Sequence, residues 1–140
     1  MKILVFEDDQ EDRQHIADMV QAAIKGLHHN FELYLSTDDS RAFKKAVERL
    51  DETAIFLIDI VHGSLPLGID MVLEISKRKK SDFVIIITNH AEKFIYRPDI
   101  KVHIFSVVFK KLQGKSDQES HENLAREIAF YLSYIDEIIK

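Results

Sequence analysis

The sequence predicts an α/β protein with a parallel sheet covered on both faces, and three observations carry that prediction. Five short runs are apolar almost throughout: Lys2 to Phe6, Phe31 to Leu35, Ala54 to Ile58, Phe83 to Ile87 and Ile104 to Phe109. Each is followed by a helical segment, most of them with apolar residues at helical spacing. Strands buried on both faces lose the in-out alternation of a half-exposed sheet, so this order points to right-handed β-α-β crossovers. The third observation is size. A chain of 140 residues with four glycines and two prolines suits one core, which predicts a single domain over residues 1–140.

The first strand, Lys2 to Phe6, ends on Glu7-Asp8-Asp9. From Gln10, Ile16, Met19, Val20, Ala23 and Ile24 repeat with helical period, Asp9 is placed to cap that helix, and Gly26 stands where a C-cap is wanted. After the second strand, Asp38 or Asp39 can cap a helix carrying Ala42, Phe43, Ala46, Val47 and Leu50. The third strand ends on Asp59. A loop from Ile60 to Leu67 follows, and Gly68 opens a helix through Ile69, Val72, Leu73 and Ile75 into Lys77-Arg78-Lys79-Lys80, which reads as a solvated last turn. Beyond the fourth strand, Asn89 is placed to cap a short helix that Pro98 terminates. Ser116-Asp117-Gln118-Glu119 has the spacing of a capping box for a last helix through Leu124, Ile128, Leu132, Ile135 and Ile139, with Tyr131 and Tyr134 beside its apolar stripe. The expected architecture is a flavodoxin-like, doubly wound, five-stranded parallel sheet of order 2-1-3-4-5 with five helices. Its ligand crevice lies past the ends of strands 1 and 3, where the winding reverses.

Composition excludes several classes. With no cysteine, disulfides, thiolate catalysis and cysteine zinc sites are ruled out. No apolar run approaches the ~18 residues of a membrane span and the N-terminus lacks a signal-peptide pattern, so a cytoplasmic protein without membrane contact is expected. A net charge of −5 argues against direct nucleic-acid binding by this chain. The seven histidines are scattered apart from His28-His29, and no histidine metal site is expected; His62 and His90 fall in loops flanking the crevice.

Strands 1 and 3 deliver Glu7, Asp8 and Asp59 to that crevice. Like unit charges ~4 Å apart repel by about 4 kcal/mol at an effective dielectric of 20, so a counter-charge is required. Mg²⁺ suits carboxylate oxygens and keeps room for water and a phosphate oxygen. An aspartate so neutralised can act as a nucleophile toward phosphorus and form an acyl phosphate. Strand 4 leads to Thr88, a hydroxyl donor, and strand 5 to Lys110, an ammonium, and both suit a phosphoryl group.

These residues, in this order along nearly the whole chain, resemble the receiver domains of response regulators. The resemblance implies that Asp59, in Phe56-Leu57-Ile58-Asp59-Ile60, accepts phosphate from a sensor histidine kinase. It also implies that Glu7, Asp8, Asp59 and the Val61 backbone carbonyl hold Mg²⁺, that Thr88 is the switch hydroxyl, and that Lys110 contacts the phosphate. Such a domain assists its own phosphorylation without being an enzyme. A finer resemblance, in Glu7-Asp8-Asp9, Asp59-Ile60 and Gly68-Ile69, is to receivers of LytTR-type transcriptional regulators. It implies a C-terminal DNA-binding domain absent from this chain, with a free-standing regulator as the alternative, and a homodimer through helix 4, strand 5 and helix 5.

Three positions depart from the family pattern. Val107 stands where an aromatic is usual, Lys111 replaces the proline after the lysine and leaves Lys110 and Lys111 as alternatives, and Asn89 occupies a site that is usually small. Phe105 and Phe109 share the face of Val107 by strand alternation and are candidates to substitute for its aromatic. A degenerate receiver acting as a constitutive interaction module is the competing reading. A Mg²⁺-dependent phosphohydrolase is disfavoured because Asp59-Ile60-Val61 has no second acid two residues on.

Overall fold

The structure is a computed structural model that describes residues 1–60, 67–89 and 97–139. Its elements are β1 (Lys2–Phe6), α1 (Gln10–Ile24), β2 (Glu32–Thr37), α2 (Ser40–Arg49), β3 (Ala54–Ile58), α3 (Leu67–Ser76), β4 (Phe83–Thr88), α4 (Pro98–Lys101), β5 (Ser106–Phe109) and α5 (Asp117–Ile138). The strands form one parallel sheet of order β2-β1-β3-β4-β5, as expected from the sequence.

Alternate strand residues feed two apolar layers. Leu4, Phe6, Phe56, Ile58, Val84 and Ile86 face α2, α3 and α4, where they meet Phe43, Val47, Ile69, Val72 and Ile100. Ile3, Val5, Ile55, Leu57, Ile85 and Ile87 face α1 and α5, against Ile16, Val20, Leu124, Ile128 and Leu132. Burial on both faces explains why the strand sequences lack alternation, and each fully buried Ile, Leu or Phe stabilises the fold by about 1.5–3 kcal/mol. No helix among the described residues is long and apolar enough to cross a membrane.

Helix ends follow local chemistry. Asp9 caps α1 by accepting from Asp12 N, Asp39 rather than Asp38 caps α2, and Ser116 and Glu119 form the expected capping box on α5. Gly26 follows the cap of α1, but Lys25 closes that helix in right-handed conformation; among the described residues, positive φ occurs at Lys79 (55°) and Gly114 (75°).

Several boundaries differ from expectation. Pro98 stands at the first position of α4, where a proline gives up only an N–H that would lack a partner anyway, and the short helix expected before it lies outside the described residues. β2 runs from Glu32 to Thr37 and β5 starts at Ser106, each shifted from its apolar run. The basic cluster follows the helix instead of forming its last turn, since α3 stops at Ser76; Lys77, Lys79 and Lys80 are exposed as expected, but the Arg78 side chain is buried. Its Nη1 donates to Val47 O (2.9 Å) and Leu50 O (2.6 Å), Nη2 donates to Glu52 O, and Nε donates to Asp82 Oδ2 (2.8 Å). Asp82 Oδ1 in turn accepts from Ala54 N at 2.9 Å. Arg78 therefore ties the end of α2 and the start of β3 to the turn before β4, a use its basic neighbours concealed.

Candidate functional site

Sheet register builds the site. Phe6 pairs with Ile58 across β1 and β3, so the next residue of each strand, Glu7 and Asp59, emerges beside the other. Asp59 N donates to Phe6 O at 2.9 Å and Glu7 N to Thr37 O at 3.1 Å, fixing both strand ends. Thr88 ends β4 fully buried, and its carbonyl accepts from Lys110 N at 3.3 Å, which places Lys110 one residue past β5.

The Lys110 ammonium is the electrostatic hub. Nζ donates to Glu7 Oε1 at 2.6 Å, Asp59 Oδ2 at 3.2 Å and Asp12 Oδ2 at 3.3 Å. Burial works against its charge, but attraction to Glu7 and then to Asp59 and Asp12 prevails and holds its pKa above the ordinary lysine value. Glu7 is pushed up to about 9, first by burial and then by its hydrogen bond with Asp59, although Lys110 opposes the shift. One ammonium thus faces three carboxylates, two of them buried, and burial beside Asp59 favours the neutral form of Glu7. Glu7, Asp8 and Asp59 also each offer a carboxylate oxygen within 4.8 Å of the others, a donor set that fits a hard divalent cation.

The structure brings together Glu7, Asp8, Asp59, Thr88 and Lys110. It separates Lys111, which is 63% exposed and pairs with Asp117 at 3.3 Å. Asn89 Oδ1 accepts from Lys111 N at 2.8 Å, so its side chain secures the β5–α5 connection. Val61, His62 and His90 lie outside the described residues, as does any helix that Asn89 caps. Val107 packs into the layer beneath α3 and α4. Phe105 does not share its face. It precedes β5, and its ring packs on Phe83 (5.2 Å) and on Tyr131 and Tyr134 of α5 (6.1 and 6.0 Å), so pleat alternation does not govern it.

Two contributors, Asp12 and Arg13, were missed from the sequence, and the part played by a third, Gly68, was not foreseen. Asp12 stands one turn into α1 and adds a carboxylate to Lys110; its distance of three residues from the Asp9 cap was the available signal. Arg13 Nη1 donates to Glu7 O (2.9 Å) and Asp8 O (3.4 Å), holding the acidic turn from behind. Gly68 packs on the backbone of Asp59: a Cβ there would lie 2.0 Å from Asp59 O and 2.6 Å from Ile60 Cα. A side chain at residue 68 would displace the strand end that presents Asp59. A cavity of about 310 Å³ opens beside Lys110, with Asp12, His15, Asn89 and His121 among its lining residues.

No family model matches the chain. Among curated proteins, it is 30% identical over 114 residues to Accessory gene regulator protein A of Staphylococcus epidermidis, covering 79% of this chain and 46% of that protein. It is 25% identical over the same length to Accessory gene regulator protein A of Staphylococcus aureus. The chain thus spans less than half the length of these relatives, which continue well beyond the matched region. Its fold is similar to a response regulator receiver domain from Rhodospirillum rubrum (TM-score 0.68, 17% identity, 96% of this chain and 94% of that one). It is likewise similar to the response regulator domain of Thermotoga maritima CheB (TM-score 0.66, 17% identity, 100% and 98%). Sequence and fold together place this chain in the family of response-regulator receiver domains.

Proposed function

We propose that residues 1–140 form a single cytoplasmic receiver domain that accepts a phosphoryl group on Asp59 from the phosphohistidine of a sensor histidine kinase. The observation that carries this reading is the Lys110 ammonium bridging Glu7 and Asp59 where β1 and β3 end together. An Asp59 oxygen attacks phosphorus, the P–N bond to the donor imidazole breaks, and the product is an acyl phosphate on Asp59. Lys110 is within reach of an oxygen of the incoming group, and Thr88 supplies a hydroxyl from the neighbouring strand. Glu7, Asp8, Asp59 and the Val61 carbonyl would hold Mg²⁺, which would supply positive charge to offset that of the carboxylates and the phosphoryl group.

In this reading the chain is a phosphoacceptor and not an enzyme, and its output is transcriptional control through a DNA-binding domain of the LytTR type outside this chain. A homodimer through helix 4, strand 5 and helix 5 would carry the signal onward. One observation favours a second reading, the constitutive interaction module: Phe105 is drawn to α5, leaving no aromatic from that position beside Val107. An oligomeric state unchanged by a phosphate mimic such as beryllofluoride would favour that module, and incubation with Mg²⁺ and a small acyl-phosphate donor tests phosphoryl acceptance. The intact mass should rise by one phosphoryl group, a chelator should prevent it, and Asp59→Asn should abolish it. An unmodified wild-type mass rejects phosphoryl acceptance.

A further inference from the structure

Two histidines far apart in sequence meet where α1 packs on α5: the rings of His15 and His121 lie edge to face with their centroids 4.7 Å apart. Neither imidazole has a hydrogen-bond or ion-pair partner among the described residues, and phosphoryl acceptance at Asp59 uses neither. Each has an acid one helical turn before it. Glu11 precedes His15 on α1 and Asp117 precedes His121 on α5, both at i, i+4 spacing. Residues four apart share a helix face, so each helix presents an acid and an imidazole together. All four side chains line the same cavity of about 310 Å³. Glu11 is exposed, and Asp117 is 92% exposed with only its surface pair to Lys111 to give up.

We propose that His15, His121, Glu11 and Asp117 bind one Zn²⁺ between α1 and α5, at a site separate from the carboxylates of Glu7, Asp8 and Asp59. Two imidazoles on one tetrahedral ion, each with a Zn–N distance of ~2.0–2.1 Å, hold their ring centroids about 5 Å apart, close to the 4.7 Å found here. The histidine pair is therefore already spaced for the ion. Among the described residues, only Glu7, Asp8 and Asp59 hold three donor atoms within 4.8 Å of one another, so Glu11 and Asp117 close on the ion by side-chain rotation, which is fast at exposed positions. Donor chemistry selects the metal: imidazole nitrogen suits Zn²⁺, whereas Mg²⁺ takes oxygen ligands and belongs in the acidic crevice. The ion would tie the first turns of two helices together beside Lys110, which lines the same cavity. This site stands independently of phosphoryl acceptance, so either can fail alone.

Calorimetric titration of the untagged 140-residue chain with Zn²⁺, in buffer holding millimolar Mg²⁺ to occupy the acidic crevice, tests it. One Zn²⁺ per chain is expected, with a raised melting temperature, because an ion bound only by the folded chain stabilises it. Co²⁺ in its place should give the visible absorption of a tetrahedral site. His15→Ala and His121→Ala should each weaken binding at least about tenfold and remove that absorption, with unchanged circular dichroism of the metal-free chain. His103→Ala, at an exposed histidine that does not line the cavity, should alter neither. Replacing both acids, Glu11→Gln with Asp117→Asn, should also weaken binding at least about tenfold. A chain that binds no Zn²⁺ overturns the proposal. So does binding that survives either histidine variant or the paired acid replacement at full strength, or that Mg²⁺ displaces.

Discussion

Replacing Gly68 with alanine tests how the site is supported, because two effects of known sign oppose each other there. In an exposed helix the change is stabilising by about 1 kcal/mol, since alanine is the better helix former. At residue 68 the new Cβ would lie 2.0 Å from Asp59 O, 2.6 Å from Ile60 Cα and 2.7 Å from Asp59 C, whereas real Cβ contacts essentially never fall below 3.0 Å. All three neighbours are backbone atoms, so no rotamer change relieves the contact. The first turn of α3 and the end of β3 must separate by about 1 Å. Overpacking of this kind costs about 1–3 kcal/mol and sometimes more, and a backbone clash belongs at the upper end. The net expectation is a loss of about 2 kcal/mol, read as a lowered urea midpoint with unchanged slope. Because the displaced atoms belong to Asp59 itself, phosphoryl acceptance should slow by about 100-fold, the usual penalty for a 1 Å misplacement. A Gly68→Ala protein as stable as wild type, with unaltered acceptance, would refute the reasoning.

Arg78→Ala should destabilise the fold by about 3–5 kcal/mol in chemical denaturation, because it strands buried Asp82 and three carbonyls. Arg78→Lys should recover only part of that loss, since one ammonium cannot span the guanidinium's acceptors. Asp136 anchors the loop after α1 by accepting from His28 N (2.8 Å), His29 N (2.9 Å) and His29 Nδ1 (2.7 Å). Burial opposes its charge, but these donors depress its pKa from 3.8 to about 2, so its stabilising effect is complete above 3.8 and fades as pH falls toward 2. The gap in urea midpoint between wild type and Asp136→Asn should therefore close across that acid window and stay constant above it. Lys110→Ala should abolish detectable phosphoryl acceptance by intact mass, whereas Lys111→Ala, which removes only an exposed pair with Asp117, should leave it near wild type.

The sheet was legible because burial on both faces writes itself as uninterrupted apolar runs, and strand order then placed Glu7 and Asp59 side by side. Capping was legible where the partners are close in sequence, as at Asp9 and in the Ser116–Glu119 box. What escaped depends on contacts between segments distant in sequence. Arg78 looked like one of four surface cations because nothing local announces that Val47, Leu50 and Glu52 turn their carbonyls toward it. Gly68 carried a family resemblance, but its steric reason exists only once α3 lies on the end of β3. Phe105 was assigned a face by alternation, which fails one residue outside the strand. Of the site itself, residue types and order were readable in advance, while the division between Lys110 and Lys111 required the geometry.

Whether Asp59 carries the phosphoryl group is read by locating the modification within the chain. After Mg²⁺-dependent phosphorylation, borohydride reduction converts an acyl phosphate to an alcohol, and peptide mass mapping then reads the altered residue. Homoserine is expected at residue 59 and at no other carboxylate, with Glu7 and Asp8 unchanged. Reduction at another acidic residue, or none despite an added phosphoryl mass, would contradict it.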